Sequence, residues 1–111
     1  MSIPILSGLA KIAGDYDLFI VDLWGVVHDG EAVYPDAVDC LHRLRQRGGR
    51  IVLLSNAARP SASIAAHLVK LGVTDDLYDW LLTSGEATAD AIAAGASGSG
   101  ADARPAYFHL G

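Results

Sequence analysis

Asp22 closes one apolar run, Leu18-Phe19-Ile20-Val21, and Ser55 closes another, Ile51-Val52-Leu53-Leu54. A carboxylate in that position is a candidate nucleophile or a ligand for a hard cation. A hydroxyl with backbone N–H groups beside it can donate to anionic oxygens. Side by side on one rim, the two could hold a phosphoryl group in line for attack. Asn56 follows Ser55 directly, and Arg59 lies close behind. Its guanidinium either reaches a substrate anion or is used in a local cap or ion pair. Gly25 breaks the first run and lets the backbone turn. The plainer reading of Asp22 is a capping carboxylate at a strand-to-loop turn.

The elements around these residues follow from pattern. Leu18–Val21 is apolar without alternation, which reads as a central parallel strand buried on both faces. Arg50–Leu54 repeats that design, and Trp80–Thr83 is a short third strand ending at Ser84-Gly85. Between the first two strands, Pro35 and Asp36 open a helix whose apolar face carries Val38, Leu41 and Leu44, and Gly48 ends it. Arg43, Arg45 and Arg47 fall on its solvated side. Pro60 sits in the first turn of a second helix, with Ile64, Leu68 and Leu71 on one face and Gly72 past its end. Glu86–Ala94 is an alanine-rich helix. Ile5–Ala13 has the spacing of a short amphipathic helix ended by Gly14. Residues 95–100 read as a flexible loop, and Ala106–Leu110 as a fourth strand. Strand–helix alternation of this kind predicts an α/β fold with a parallel sheet.

The stretch from Trp24 to Tyr34 has no strong period and reads as a loop over the rim. His28, Asp29 and Glu31 lie in it, either facing a substrate or serving as polar residues around the Asp29-Gly30 turn. His67, among the apolar positions of the second helix, reads as a helix histidine rather than a ligand. Gly98, Gly100 and Ala103 match a dinucleotide fingerprint in letters only, because they follow a helix rather than a strand.

Composition narrows the classes. The 111 residues are 51% hydrophobic, enough for one packed domain. A net charge of −5 without a basic cluster argues against nucleic acid and anionic membranes as partners. No apolar run approaches the roughly 20 residues of a membrane span. Met1–Ala10 lacks a basic start and makes a poor signal peptide. The single Cys40 has no internal partner and reads as a small buried hydrophobe; a cytoplasmic location fits.

The words Phe19-Ile20-Val21-Asp22-Leu23-Trp24-Gly25-Val26 and Leu53-Leu54-Ser55-Asn56 resemble the first two motifs of the haloacid dehalogenase-like superfamily. The longer words Asp22–Gly30, Ser55–Pro60 and Thr83–Thr88 resemble its class IIA branch, phosphatases with a C2-type cap. That resemblance implies a Rossmann-like (HAD-like) α/β sheet flanked by helices. It implies that Asp22 attacks phosphorus and becomes an aspartyl phosphate that water hydrolyses. The Asp22 carboxylate and the Trp24 backbone carbonyl would bind Mg²⁺. Gly25, Ser55, Asn56 and Arg59 would surround a small phosphorylated metabolite.

Two departures accompany the resemblance. The family usually has a second Asp two residues after the nucleophile as general acid and base, and here that residue is Trp24. Losing such a group typically costs about 10²–10⁴ in rate. Some members of the branch carry this Trp. An aromatic here is also similar to the dehalogenases of the superfamily, but those place a cap between the first two motifs, and a helix and a strand already fill that interval. The second departure is the family's late lysine and acids, which follow the cap; Lys11 and Lys70 are poor substitutes. Residues 1–111 are therefore read as the N-terminal part of a hydrolase core domain, ending before the cap and the late motifs. The other reading is an inactive fragment or a phosphate- or partner-binding module, and the isolated chain is expected to show little or no phosphatase activity even with Mg²⁺. In the resembled fold a later strand pairs beyond the first; without it, Leu18–Leu23 would be an unblocked apolar edge prone to self-association.

Overall fold

A computed structural model describes residues 2–95. Three strands, β1 (Leu18–Asp22), β2 (Arg50–Ser55) and β3 (Trp80–Thr83), form one parallel sheet in the order β1-β2-β3. Helix α1 (Pro35–Gln46) connects β1 to β2, α2 (Ser61–Leu71) connects β2 to β3, and α3 (Ser84–Ala93) follows β3. The alternation predicted from the sequence is present, and the fold is α/β with helices flanking a parallel sheet.

The register sets the rim. Asp22 pairs with Leu54, and Ser55, one residue further along β2, pairs with Thr83. All three strands thus end in a polar side chain on the same carboxyl edge, where open α/β sheets place their ligands.

The strand order moves in one direction, so crossovers of a single hand put α1 and α2 on one face of the sheet. That face holds the core: Ile51 and Leu53 of β2 meet Leu41 and Leu44 of α1, Leu68 of α2, and Val73 and Leu77 from the connection after α2, all buried. Phe19, Val21 and Leu81 pack against this cluster from the neighbouring strands. The opposite face carries Leu18, Ile20, Leu54, Trp80 and Leu82, all exposed, with Ile20 at 66%. Within residues 2–95, the two-sided burial expected of β1 is met on one face only. Among the described residues β1 is an end strand, and nothing in 2–95 packs on its second face.

Four smaller expectations also change. Ile5–Ala13 is not an α-helix; single turns form at Leu9–Lys11 and Ala13–Asp15, and Ile3, Ile5 and Leu6 are exposed. Pro4, Gly8 and Gly14 leave too short a run to offset helix nucleation. Pro60 is the residue before α2 rather than in its first turn. Helix α3 starts at Ser84, two residues before the expected Glu86, because the Thr83 hydroxyl accepts the Glu86 N–H at 3.1 Å and caps it. Arg45 does not simply face solvent. It pairs with Asp79 at 2.7 Å and donates to the Asp76 carbonyl, tying α1 to the approach of β3. Asp79 also accepts the Ile51 N–H at 2.7 Å, and that bond, followed by Arg45, holds its carboxyl below the usual range. The predicted loop over 95–100 beyond Gly95, the strand at Ala106–Leu110 and the fingerprint match at Gly98–Ala103 lie outside the described residues.

Candidate functional site

Asp22 is the last residue of β1 and is exposed at the rim, its Oδ1 accepting the Leu23 N–H at 2.9 Å. From there the chain turns tightly. The Leu23 carbonyl accepts the N–H groups of Val26, Val27 and His28 at 3.2, 2.8 and 3.2 Å. Gly25 makes that turn with φ 76°, and space around it is open, so the demand for glycine is conformational. Buried Val27 anchors the loop to the core.

A cavity of about 720 Å³ opens between this loop and the segment after β2. Trp24, Ser55, Asn56 and Arg59 line it, as do His28, Asp29, Glu31 and His67. Asp22 and Gly25 are not on its wall, although Leu23 is. The structure therefore brings four of the six sequence candidates to one cavity and sets the carboxylate on the rim one residue before it.

The Trp24 indole is 65% exposed and lies across Gly30, whose φ is 99°. The positive φ favours glycine there, and a Cβ would sit 2.5 Å from the outer edge of the ring and displace the exposed indole. His28 is the buried polar residue of the loop. Its Nδ1 accepts the Gly30 N–H at 2.9 Å, so the neutral ring carries its proton on Nε2. Its ring meets the edge of Trp24 at 5.7 Å and that of His67, from α2, at 6.0 Å. Burial, and then the nearby His67, pull its pKa below 6.5, with Asp29 opposing.

Asp29 has the plainer of its two roles. Its Oδ1 accepts the N–H groups of Ala32 and Glu31 at 2.8 and 3.0 Å, bonds that lower its pKa and close the turn. Ser55 Oγ accepts the Ala57 N–H at 3.2 Å, which fixes the hydroxyl at the start of the loop. The Arg59 side chain is exposed at the cavity and makes no ion pair among the described residues.

His67 is the cavity residue that sequence reasoning set aside. Its spacing on α2 placed it among apolar positions, and only the fold brings it against His28. The other residue missed is Thr83. Its signal was present: Thr83-Ser84-Gly85-Glu86 is a capping-box word, Thr-x-x-Glu, directly after an apolar strand.

For a metal, no group of three or more His, Cys, Asp or Glu side chains is suitably clustered among the described residues. The Asp22 carboxylate and the Trp24 carbonyl are the oxygen donors at hand, of the type a hard divalent ion prefers.

The described sheet is parallel and three-stranded, with an acid at the end of its first strand and a hydroxyl at the end of its second. Residues 19–102 match the sequence model described as haloacid dehalogenase-like hydrolase, and the chain belongs to that family. It is 33% identical over 85 residues to a D-glycerol 3-phosphate phosphatase of Mycobacterium tuberculosis, covering 77% of this chain and 23% of that protein. Its fold is similar to the crystal structure of a haloacid dehalogenase-like hydrolase from Brucella suis 1330, with TM-score 0.73 and 38% identity, over 81% of this chain and 34% of that one. The chain thus spans well under half the length of these relatives. No helix among the described residues is long and apolar enough to cross a membrane.

Proposed function

We propose that this chain carries the nucleophile-bearing part of a Mg²⁺-dependent phosphomonoester hydrolase of the class IIA type, acting on a small phosphorylated metabolite in the cytoplasm. One observation carries the reading. Asp22 and Ser55 end adjacent parallel strands on one rim, beside a cavity lined by Ser55, Asn56 and Arg59, in a chain of this family. The related phosphatase named for glycerol 3-phosphate supports a small polyol phosphate as substrate class.

In this reading an Asp22 oxygen attacks phosphorus, the phosphorus–oxygen bond to the alcohol breaks, and the phosphoryl group rests on Asp22 as an acyl phosphate. Ser55 Oγ and neighbouring backbone N–H groups hold the phosphoryl oxygens, and Arg59 faces the substrate anion. Water then cleaves the acyl phosphate and restores the carboxylate. Asp22 and the Trp24 carbonyl would hold one side of a Mg²⁺ shell, whose charge neutralises the phosphoryl oxygens when the ion is bound.

Trp24 has no proton to exchange at either step, so solvent must protonate the leaving alcohol. That supports a second reading, a phosphate-binding module without turnover. Rapid mixing with an aryl phosphate and Mg²⁺ separates the two. The hydrolase reading predicts a stoichiometric burst of aryl alcohol that Asp22→Asn abolishes. The later turnover should be slower by about 10²–10⁴ than with a positioned acid. Phosphate binding with no burst supports the module. A burst untouched by Asp22→Asn contradicts the hydrolase reading.

A further inference from the structure

The start of α3 grips the segment after β2 at three alternate carbonyls. Thr83 Oγ1 donates to the Arg59 carbonyl at 2.7 Å, the Gly85 N–H donates to the Ala57 carbonyl at 3.0 Å, and Ser84 Oγ donates to the Ser55 carbonyl at 3.4 Å. Thr83 is fully buried, so its hydroxyl has no solvent to fall back on. Glu86 does not complete the usual reciprocal cap. Its carboxylate accepts from the Ser61 hydroxyl, at the first residue of α2, on the far side of the same segment. Gly85 has ordinary backbone torsions, and what it requires is space: a methyl group there would collide with the Ala58 carbonyl.

A trans peptide points its C=O and N–H in opposite directions. Carbonyls of Ser55 and Ala57 that are turned toward α3 therefore turn the N–H groups of Asn56 and Ala58 away from it. Asn56 and Ala58 both line the cavity. Pro60 ends the segment and has no N–H to compete.

We propose that Thr83 and Gly85, with Ser84, are positioning residues that fix the Ser55–Arg59 segment so that the Ser55 hydroxyl and the amides of Asn56 and Ala58 face the cavity. This rests on the phosphoryl-handling reading above. None of the three need touch the substrate, and they act through the backbone they hold.

The test is hydrogen–deuterium exchange on the 111-residue chain with Mg²⁺, with and without orthophosphate, for the wild type, Thr83→Val, Thr83→Ser and Gly85→Ala. Thr83→Val keeps the shape and removes the hydroxyl, whereas Thr83→Ser keeps the hydroxyl. In Thr83→Val and Gly85→Ala, exchange of the Ala57 N–H, which donates to Ser55 Oγ, and of the N–H at position 85, which donates to the Ala57 carbonyl, should rise by roughly five- to tenfold, the scale of one lost net hydrogen bond. Ile51–Leu53 should exchange as in the wild type. The orthophosphate concentration that protects the segment should rise by a similar factor, and Thr83→Ser should restore both. Unchanged segment exchange, or exchange that rises equally through β2, overturns the proposal, the second because it marks general loosening. Segment exchange that rises while orthophosphate protection stays at the wild-type level overturns it too. A wild type that orthophosphate does not protect overturns the phosphatase reading and the role assigned here. The exchange pattern then still decides whether α3 holds the segment.

Discussion

Trp24 takes the place where the family pattern has a carboxylate, and its neighbours show how the loop accommodates an indole. Gly30 yields space beneath the ring, and His28 packs against its edge while accepting the Gly30 N–H. This arrangement needs His28 neutral. Its folded pKa lies below 6.5, so the unfolded chain binds the extra proton first. The contribution to stability is complete above the unfolded pKa and declines as pH falls through it toward the folded value. Asp29 and Glu31 from the loop, His67 from α2 and Arg59 across the cavity are the charged or titratable groups around it. Urea unfolding should show the wild type losing more stability than His28→Asn between about pH 8 and about pH 5. Equal losses would deny His28 this role. At this scale the sequence made Asp22, Ser55, Asn56 and Arg59 visible, because each follows an apolar strand. The His28–His67 contact was not visible, because its two residues lie on a loop and a helix that meet only after folding.

At the scale of elements, β2 is the member that the others surround. Ile51 and Leu53 are completely buried, while Leu54, their neighbour on the other face, is exposed. Leu53→Ala should therefore destabilise the chain by about 2–5 kcal/mol, the usual cost of emptying a core leucine site. Leu54→Ala should cost under about 1 kcal/mol, as surface changes do. Chemical denaturation of both variants checks this, and equal losses would mean that the second face is also packed. The strands and the two crossover helices were legible because period and punctuation agree: Pro35 and Gly48 bound α1, and Gly72 ends α2 with φ 97°. The link from Arg45 to Asp79 was not legible. It joins residues 34 apart whose types give no sign of pairing. The early start of α3 was legible in Thr83 and Glu86, and it needed the capping word to be weighed above the glycine at position 85.

On the whole-molecule scale, one sheet face is packed and the other is open among the described residues. Unpatterned apolar strands in the sequence foretold cover on both sides, and only the side with α1 and α2 has it. Among the described residues β1 pairs with β2 alone, and its outer edge there offers unpaired N–H and C=O groups with no Lys or Pro to block them. Beside that edge lie exposed Leu18 and Ile20, and further along the same face Leu54, Trp80 and Leu82. The 111-residue chain by itself should self-associate at micromolar concentration, in a way that Ile20→Lys weakens. Sedimentation velocity reads this directly, and a cooperatively unfolding monomer would oppose it.

In the proposed reaction Asp22 receives a phosphoryl group on the rim it shares with Ser55. Incubation with acetyl phosphate and Mg²⁺, acid quenching and peptide mass mapping test it most directly. An acyl phosphate should form on the peptide containing Asp22, be absent in Asp22→Asn and be reduced in Ser55→Ala. No adduct at all, or one carried by Asp29 or another carboxylate, would contradict it.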